Sequence, residues 1–261
     1  MSDGYVYEHG WDEERVRLRG LELALDAGTR EHLLRLGVRP GTRCLEIGAG
    51  GGAIACWLAE QVAPDGIVVA TDLETDFLEL RAAEYPSLQV LRHDLTAEDL
   101  PGDFDLIHAR YLVEWLPDKL LALRRMVAAL RPGGVLFVEE PDWVTIFETP
   151  ESSALRHVMI AAMRYLEATC PIDTQYGRRL VDDLLAAGLK DVQAEGRCAI
   201  VAGGTPPAAD FLRLTIEKLR APLVSGHRAS EIELNEAVAV LEDPSANIMF
   251  PLTVAAWGHR P

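Results

Sequence analysis

No apolar run in the sequence approaches the roughly 20 residues that a helix needs to cross a bilayer, so no membrane partner or span is expected. The first twenty residues, MSDGYVYEHGWDEERVRLRG, are charged and lack the apolar centre of a secretion signal. Cysteine is scarce: Cys44, Cys56, Cys170 and Cys198 are scattered, with no CxxC spacing. That pattern fits reduced, mostly buried thiols in a cytoplasmic protein rather than a disulfide framework. No Cys/His cluster has metal-ligand spacing, so no metal is expected. Low-complexity linkers and internal repeats are absent. Basic residues are outnumbered, 25 Lys and Arg against 41 Asp and Glu, for a formal net charge of −16. Such a chain repels phosphate backbones, and no nucleic-acid partner is expected. It is compatible with a cationic ligand. The stretch Arg15–Arg19 is too short and too mixed with acids to form a basic patch.

What is present suits one large domain, or one domain plus a cap, in 261 residues. Residues 12–36 read as a helix stopped by Gly37 and Pro40-Gly41. Strands and helices then alternate. RCLEI (43–47), GIVVATD (66–72), LQVLRHD (88–94), FDLIHAR (104–110) and VLFVEE (135–140) read as strands. Helices are expected over 53–61, 75–84 and 117–130. Five apolar, β-branched strands alternating with helices imply a parallel sheet covered on both faces.

The C-terminal part is different. Thr149-Pro150 reads as a helix cap before a helix over about 151–168. A second helix is expected over about 176–187, a sixth strand over 190–202, and largely helical chain over 208–241, interrupted near Pro222–Gly226. Residues 247–258 read as a last strand. The helical insertions are read as a cap. The expected organisation is a helical segment or lid over 1–37, a ligand-binding core over 38–145, and the rest of the sheet with its insertions over 146–261.

The segment Glu46-Ile47-Gly48-Ala49-Gly50-Gly51-Gly52 lies between the first strand and the first helix that follows it. Glycines there allow a tight turn and close approach of a ligand to the backbone. Gly48, Gly50 and Ala53 also satisfy the dinucleotide fingerprint G-x-G-x-x-G/A. Two features separate the possibilities. A pyrophosphate would be repelled by Glu46, at the end of the first strand, whereas a ligand carrying an ammonium and a sulfonium would not. Acids also recur at the next strand ends: Asp72, placed to accept from ribose hydroxyls, and Asp94, placed to accept from an adenine amine. Ligands of open α/β sheets bind beyond the carboxyl ends of the strands, so the three acids line one crevice.

With LEIGAGGG (45–52), ATDL (70–73), RHDL (92–95), FDLIHARYLVEWLPD (104–118) and LRPGGVLFVEE (130–140), the segment from about Arg39 to Trp143 resembles the class I S-adenosylmethionine-dependent methyltransferases. It is closest in style to the small-molecule group that includes ubiquinone/menaquinone and bacterial natural-product methyltransferases. The resemblance covers roughly 40% of the chain. It implies a Rossmann-like α/β fold with a seven-stranded, mostly parallel sheet whose last strand is antiparallel. It also implies S-adenosylmethionine as cofactor and S-adenosylhomocysteine as product. In that likeness Glu46 and the backbone of Gly48, Ala49 and Gly50 hold the methionine part. Asp72 holds the ribose, and Leu73 packs on the adenine. Asp94 and the Leu95 amide meet the adenine amine, and the Ala109 carbonyl faces the cofactor's amino group. The family often has histidines where this chain has Glu114-Trp115.

Methyl transfer needs alignment more than a dedicated catalyst, so no catalytic residue is assigned. Substrate-side candidates are Arg110, Tyr111, Glu140, Asp142, Trp143, His157 and Tyr176, with Tyr5, Tyr7 and Trp11 able to close over the cofactor or the substrate. His108 is expected to point into the sheet packing. The expected activity is methyl transfer to a small molecule by a monomer or homodimer. The competing readings are a non-methylating enzyme of the same fold, such as a cyclase, a nicotinamide-dependent oxidoreductase and a non-catalytic binding module.

Overall fold

The computed structural model describes residues 13–148, 153–206 and 208–261. The chain begins with α1 (Glu14–Arg35), β1 (Arg43–Ile47), α2 (Ala53–Val62), β2 (Ile67–Asp72), α3 (Asp76–Ala82) and β3 (Leu88–Arg92). It continues with β4 (Phe104–Arg110), α4 (Lys119–Ala129), β5 (Leu130–Asp142), α5 (Val144–Phe147), α6 (Ala154–Thr169) and α7 (Leu180–Ala186). The last elements are β6 (Lys190–Arg197), β7 (Ile200–Ala202), α8 (Asp210–Ser225), α9 (Glu231–Glu242), β8 (Asn247–Met249) and β9 (Leu252–His259). Single 3₁₀ turns lie at Val113–Trp115 and Tyr176–Arg179.

Contacts divide the chain into two compact units. The larger comprises residues 26–140, 176–196 and 254–261. It is built on a seven-stranded sheet in the order β3-β2-β1-β4-β5-β9-β6. β1 pairs in parallel with β2 and β4, β2 with β3, and β4 with β5. Just past β9, Gly133 N donates to Arg260 O (2.8 Å) and Arg260 N donates to Gly134 O (2.9 Å), the reciprocal exchange of antiparallel chains.

Alternation along each strand sorts the core into two layers. Leu45, Val69, Ile107, Leu136 and Ala256 face one layer, with Leu123 and Met126 of α4 and Leu180 and Leu184 of α7. Their neighbours Cys44, Val68, Leu106, Phe137 and Ala255 face the other, with Leu33 of α1, Leu58 of α2 and Leu78 of α3. Both faces are therefore covered, which is why these strands are apolar at consecutive positions.

Among the described residues the smaller unit comprises 13–25, 141–148, 153–175, 197–206 and 208–253. In it α6, α8 and α9 pack on one another, and β7 and β8 form an antiparallel ribbon. α9 starts with a capping box between Ser230 and Glu233.

Several expected boundaries move. Residues 190–202 and 247–258 are not single strands: each changes sheet partway along. Pro251 has no N–H to donate, which ends β8, and opposite it Phe250 N donates to Ala199 O (2.9 Å). The helix expected to break near Pro222 runs through it to Ser225. Pro222 sits in the last turn, where its carbonyl still accepts from Gly226 N (3.1 Å). β5 starts at Leu130, not at Val135, and its register on β4 shifts between Phe104 and Leu106. The helix expected over 176–187 is a 3₁₀ turn followed by α7.

Candidate functional site

β1, β2 and β3 end at Ile47, Asp72 and Arg92 on one edge of the sheet, with Ile47 opposite Thr71 and Asp72 opposite Arg92. Glu46, Asp72 and Asp94 are thus carried by the carboxyl ends of three adjacent parallel strands. The glycine turn folds back across the end of β2. Ala49 N donates to Thr71 O (3.0 Å) and Gly50 N donates to Asp72 Oδ2 (2.8 Å). Asp72 Oδ1 accepts from Glu74 N at 3.3 Å. Leu73, beside it, is 39% exposed.

Two glycines in this turn hold a backbone conformation that any side chain would strain. Gly48 has φ +66°, and a Cβ there would sit 3.0 Å from Leu112 Cδ1. Gly52, which starts α2 at φ +80°, would place a Cβ 2.8 Å from Leu78 Cδ2. Gly52→Ala is therefore expected to lower stability by about 1–3 kcal/mol through strain at the turn and overpacking of Leu78. Chemical denaturation measures this, and unchanged stability would show that the turn relaxes freely.

Asp94 is half-buried and accepts from Thr96 N (2.8 Å) and Thr96 Oγ1 (2.6 Å). The bonds from Thr96, with His93 nearby, hold its carboxyl below the usual range despite partial burial, so it stays charged. Leu95 is buried, and its carbonyl accepts from Arg125 Nη1 (2.6 Å). Ala109 is fully buried opposite Ile47.

Glu46 is 4% exposed. Its Oε2 meets His108 Nδ1 at 2.7 Å, and His108 Nε2 meets Glu139 Oε2 at 3.1 Å. Glu139 Oε2 also accepts from Thr29 Oγ1 (2.6 Å). Arg110 donates to Thr29 Oγ1 (2.8 Å) and Asp26 Oδ1 (2.9 Å). Burial alone would lower the His108 pKa, but the Glu46 and Glu139 carboxylates outweigh it and raise the pKa to about 9. Burial works against Glu139 as well, and the His108 and Arg110 charges hold its carboxyl below the usual range. From the sequence alone His108 belongs to the sheet packing, and this network is not visible. The signal lies in the register: Glu46 pairs with His108, and Arg110 with Glu139, so their side chains share the sheet face that α1 covers.

The substrate-side candidates are dispersed. Arg110 is committed to Asp26 and Thr29, with its side chain 10% exposed. Tyr111 follows β4 in the left-handed region, at φ +54°, and its N–H donates to Glu139 O (2.8 Å). Glu140 is fully buried on the opposite sheet face. Its Oε1 accepts from Leu112 N (3.2 Å) and Val113 N (2.7 Å), and its Oε2 from Glu114 N (3.1 Å). It organises the loop after β4. Burial raises its pKa to about 7 against the pull of these amides. Tyr176, expected in the cap, is instead fully buried in the core of the larger unit, because its ring packs with α4 and α7. Burial pushes its phenol up, the nearby Asp183 and Glu140 carboxylates adding to this. Trp143 and His157 belong to the smaller unit, Trp143 buried and His157 exposed on α6. Asp142, in the same unit, is buried and accepts from Val144 N (3.0 Å). Tyr5, Tyr7, Trp11 and the Thr149-Pro150 cap lie outside the described residues. Among the described residues no group of three or more His, Cys, Asp or Glu side chains has the arrangement of a metal site.

Three acids at adjacent strand ends thus accompany one glycine turn. Residues 45–136 match the family model described as methyltransferase domain. Over this segment the chain is similar to methyltransferase domains. It is 32% identical over 142 residues to a methyltransferase of Strobilurus tenacellus, covering 53% of this chain and 50% of that protein. It is 30% identical over 164 residues to a ubiquinone biosynthesis O-methyltransferase of Xanthomonas campestris pv. campestris, covering 60% of this chain and 64% of that one. The match thus spans half to just under two thirds of these relatives. The phosphoethanolamine N-methyltransferase 2 of Haemonchus contortus, solved with S-adenosylhomocysteine, shares the fold with a TM-score of 0.57 at 19% identity, over 90% of this chain and 52% of that chain.

Proposed function

We propose that the protein transfers the methyl group of S-adenosylmethionine to an oxygen, nitrogen or carbon atom of a small molecule, in bacterial secondary or cofactor metabolism. The observation that carries this is the set of acids at three adjacent strand ends, Glu46, Asp72 and Asp94, around a turn in which Gly48, Gly50 and Gly52 are at positive φ. The donor set fits the cofactor. Glu46 Oε1 has no hydrogen-bond partner among the described residues and can take an ammonium. Asp72 can accept from ribose hydroxyls, with the half-exposed Leu73 beside it for the adenine. Asp94, held ionised, can accept from the adenine amine. A pyrophosphate would meet Glu46 and be repelled, which disfavours a nicotinamide cofactor.

When bound, the cofactor supplies an electrophilic methyl group on a sulfonium. The chain has to hold it in line with the acceptor, and orientation of this kind contributes roughly 7–11 kcal/mol. We assign the acceptor side to the segment after β4, with Tyr111 at its head. We also propose a cytoplasmic protein, monomer or homodimer, without a nucleic-acid or membrane partner. Among the described residues no helix is long and apolar enough to cross a membrane.

Calorimetric titration with S-adenosylmethionine, S-adenosylhomocysteine and NAD tests the cofactor. Binding of the first two and not NAD is expected; binding of NAD alone would overturn the reading. A substrate screen that reads methylated product and released S-adenosylhomocysteine separates methyl transfer from a cyclisation on the same fold.

A further inference from the structure

The network behind Glu46 has no role in methyl transfer as described above. Glu46 comes from β1, His108 and Arg110 from β4, Glu139 from β5, and Asp26 and Thr29 from α1. Phe137, whose ring lies 5.0 Å from the His108 ring, packs against the group, with the His32 ring of α1 5.1 Å from Phe137. Glu46, His108, Glu139 and Thr29 are all at least 95% buried.

Both ring nitrogens of His108 face carboxylate oxygens. A neutral imidazole has one donor and one acceptor nitrogen, so one nitrogen would then present a lone pair to a carboxylate. The geometry asks for an imidazolium. Asp26 is paired with both Arg110 (2.9 Å) and Arg30 (3.1 Å), so His108 is the cation left between Glu46 and Glu139, and it meets only one oxygen of Glu46. Glu46 is the member next to the glycine turn.

We propose that His108 is a positioning residue for the amino group of the cofactor, keeping Glu46 ionised and holding its Oε2 so that Oε1 is presented to the incoming ammonium. This rests on the methyltransferase reading. Glu139 has Thr29 and Arg110 as further partners, whereas Glu46 has His108 alone among side chains. If the imidazolium is removed, the proton that relieves the two carboxylates goes to Glu46. Cofactor binding then becomes dependent on pH.

The test compares the intact protein with His108→Gln and His108→Gln/Glu139→Gln, titrated with S-adenosylhomocysteine and with 5′-methylthioadenosine, which lacks the amino-acid part. The intact protein should bind S-adenosylhomocysteine with nearly constant affinity from about pH 6 to 8. His108→Gln should bind it about tenfold more weakly for each unit of pH below the new Glu46 titration. Removing the second carboxylate in the double variant should restore the flat profile. Methylthioadenosine should bind all three proteins alike. A flat profile in His108→Gln, at any affinity, overturns the inference, because a merely structural histidine would give that result. If the variant does not fold, ¹⁵N spectra of the intact protein decide: a His108 ring carrying one proton at neutral pH overturns the proposal, and two protons support it. Failure of the intact protein to bind S-adenosylmethionine or S-adenosylhomocysteine overturns the methyltransferase reading itself, and the inference with it.

Discussion

Replacing Asp72 with alanine will weaken S-adenosylmethionine binding by about two orders of magnitude or more. A carboxylate that accepts from both ribose hydroxyls makes two charge-assisted hydrogen bonds, each contributing about 1.5–3 kcal/mol. The same side chain accepts from Gly50 N and Glu74 N. Its loss therefore also loosens the glycine turn. The fold should survive, because Asp72 is only half-buried and the Ala49–Thr71 bond still ties the turn to β2. Calorimetry on a variant shown to be folded by circular dichroism measures the effect. Unchanged affinity would sink the ribose assignment.

Replacing Glu140 with alanine will act on stability, by about 3 kcal/mol or more. Three backbone amides, those of Leu112, Val113 and Glu114, depend on this carboxylate, and the last two belong to buried residues. Each buried donor left without an acceptor costs about 1–3 kcal/mol. Urea denaturation reads the loss, and a change below about 1 kcal/mol would show that the loop finds other acceptors. A pH signature accompanies it. The folded protein holds the Glu140 proton more tightly than the unfolded chain, since burial raises its pKa to about 7. This contribution to stability is present in full below the ordinary glutamate range, about pH 4.3. It is lost as pH rises through about 7. Glu140→Gln should remove that part of the slope.

The parts of the fold visible in the sequence were those with strong local chemistry. RCLEI and FDLIHAR have the observed strand limits because apolar runs end there at turn residues or charges. The glycine turn and the acids after it were visible because spacing alone puts them at strand ends. Residues 190–202 and 247–258 each look like a single strand in the sequence because both halves have strand composition. The change of sheet depends on Pro251 and on pairing across some fifty residues, which no local pattern carries. Tyr176 and Glu140 were placed by residue type beside a crevice, whereas their roles follow from the sheet face on which they lie. His108 shows the same limit. A histidine in an apolar strand looks like packing until the register sets carboxylates against both of its nitrogens.

Glu139 and Glu140 are covalent neighbours with separate tasks. Side chains alternate along β5, so one glutamate looks toward His108 and Thr29 and the other toward the amides of residues 112–114, with the thickness of a sheet between them. Mutational drift at one position has no means of compensating loss at the other. The acidic pair is thus two unrelated requirements written side by side, one for pairing a buried histidine and one for holding a loop in shape. Inserting or deleting a single residue upstream in this strand would exchange them and satisfy neither.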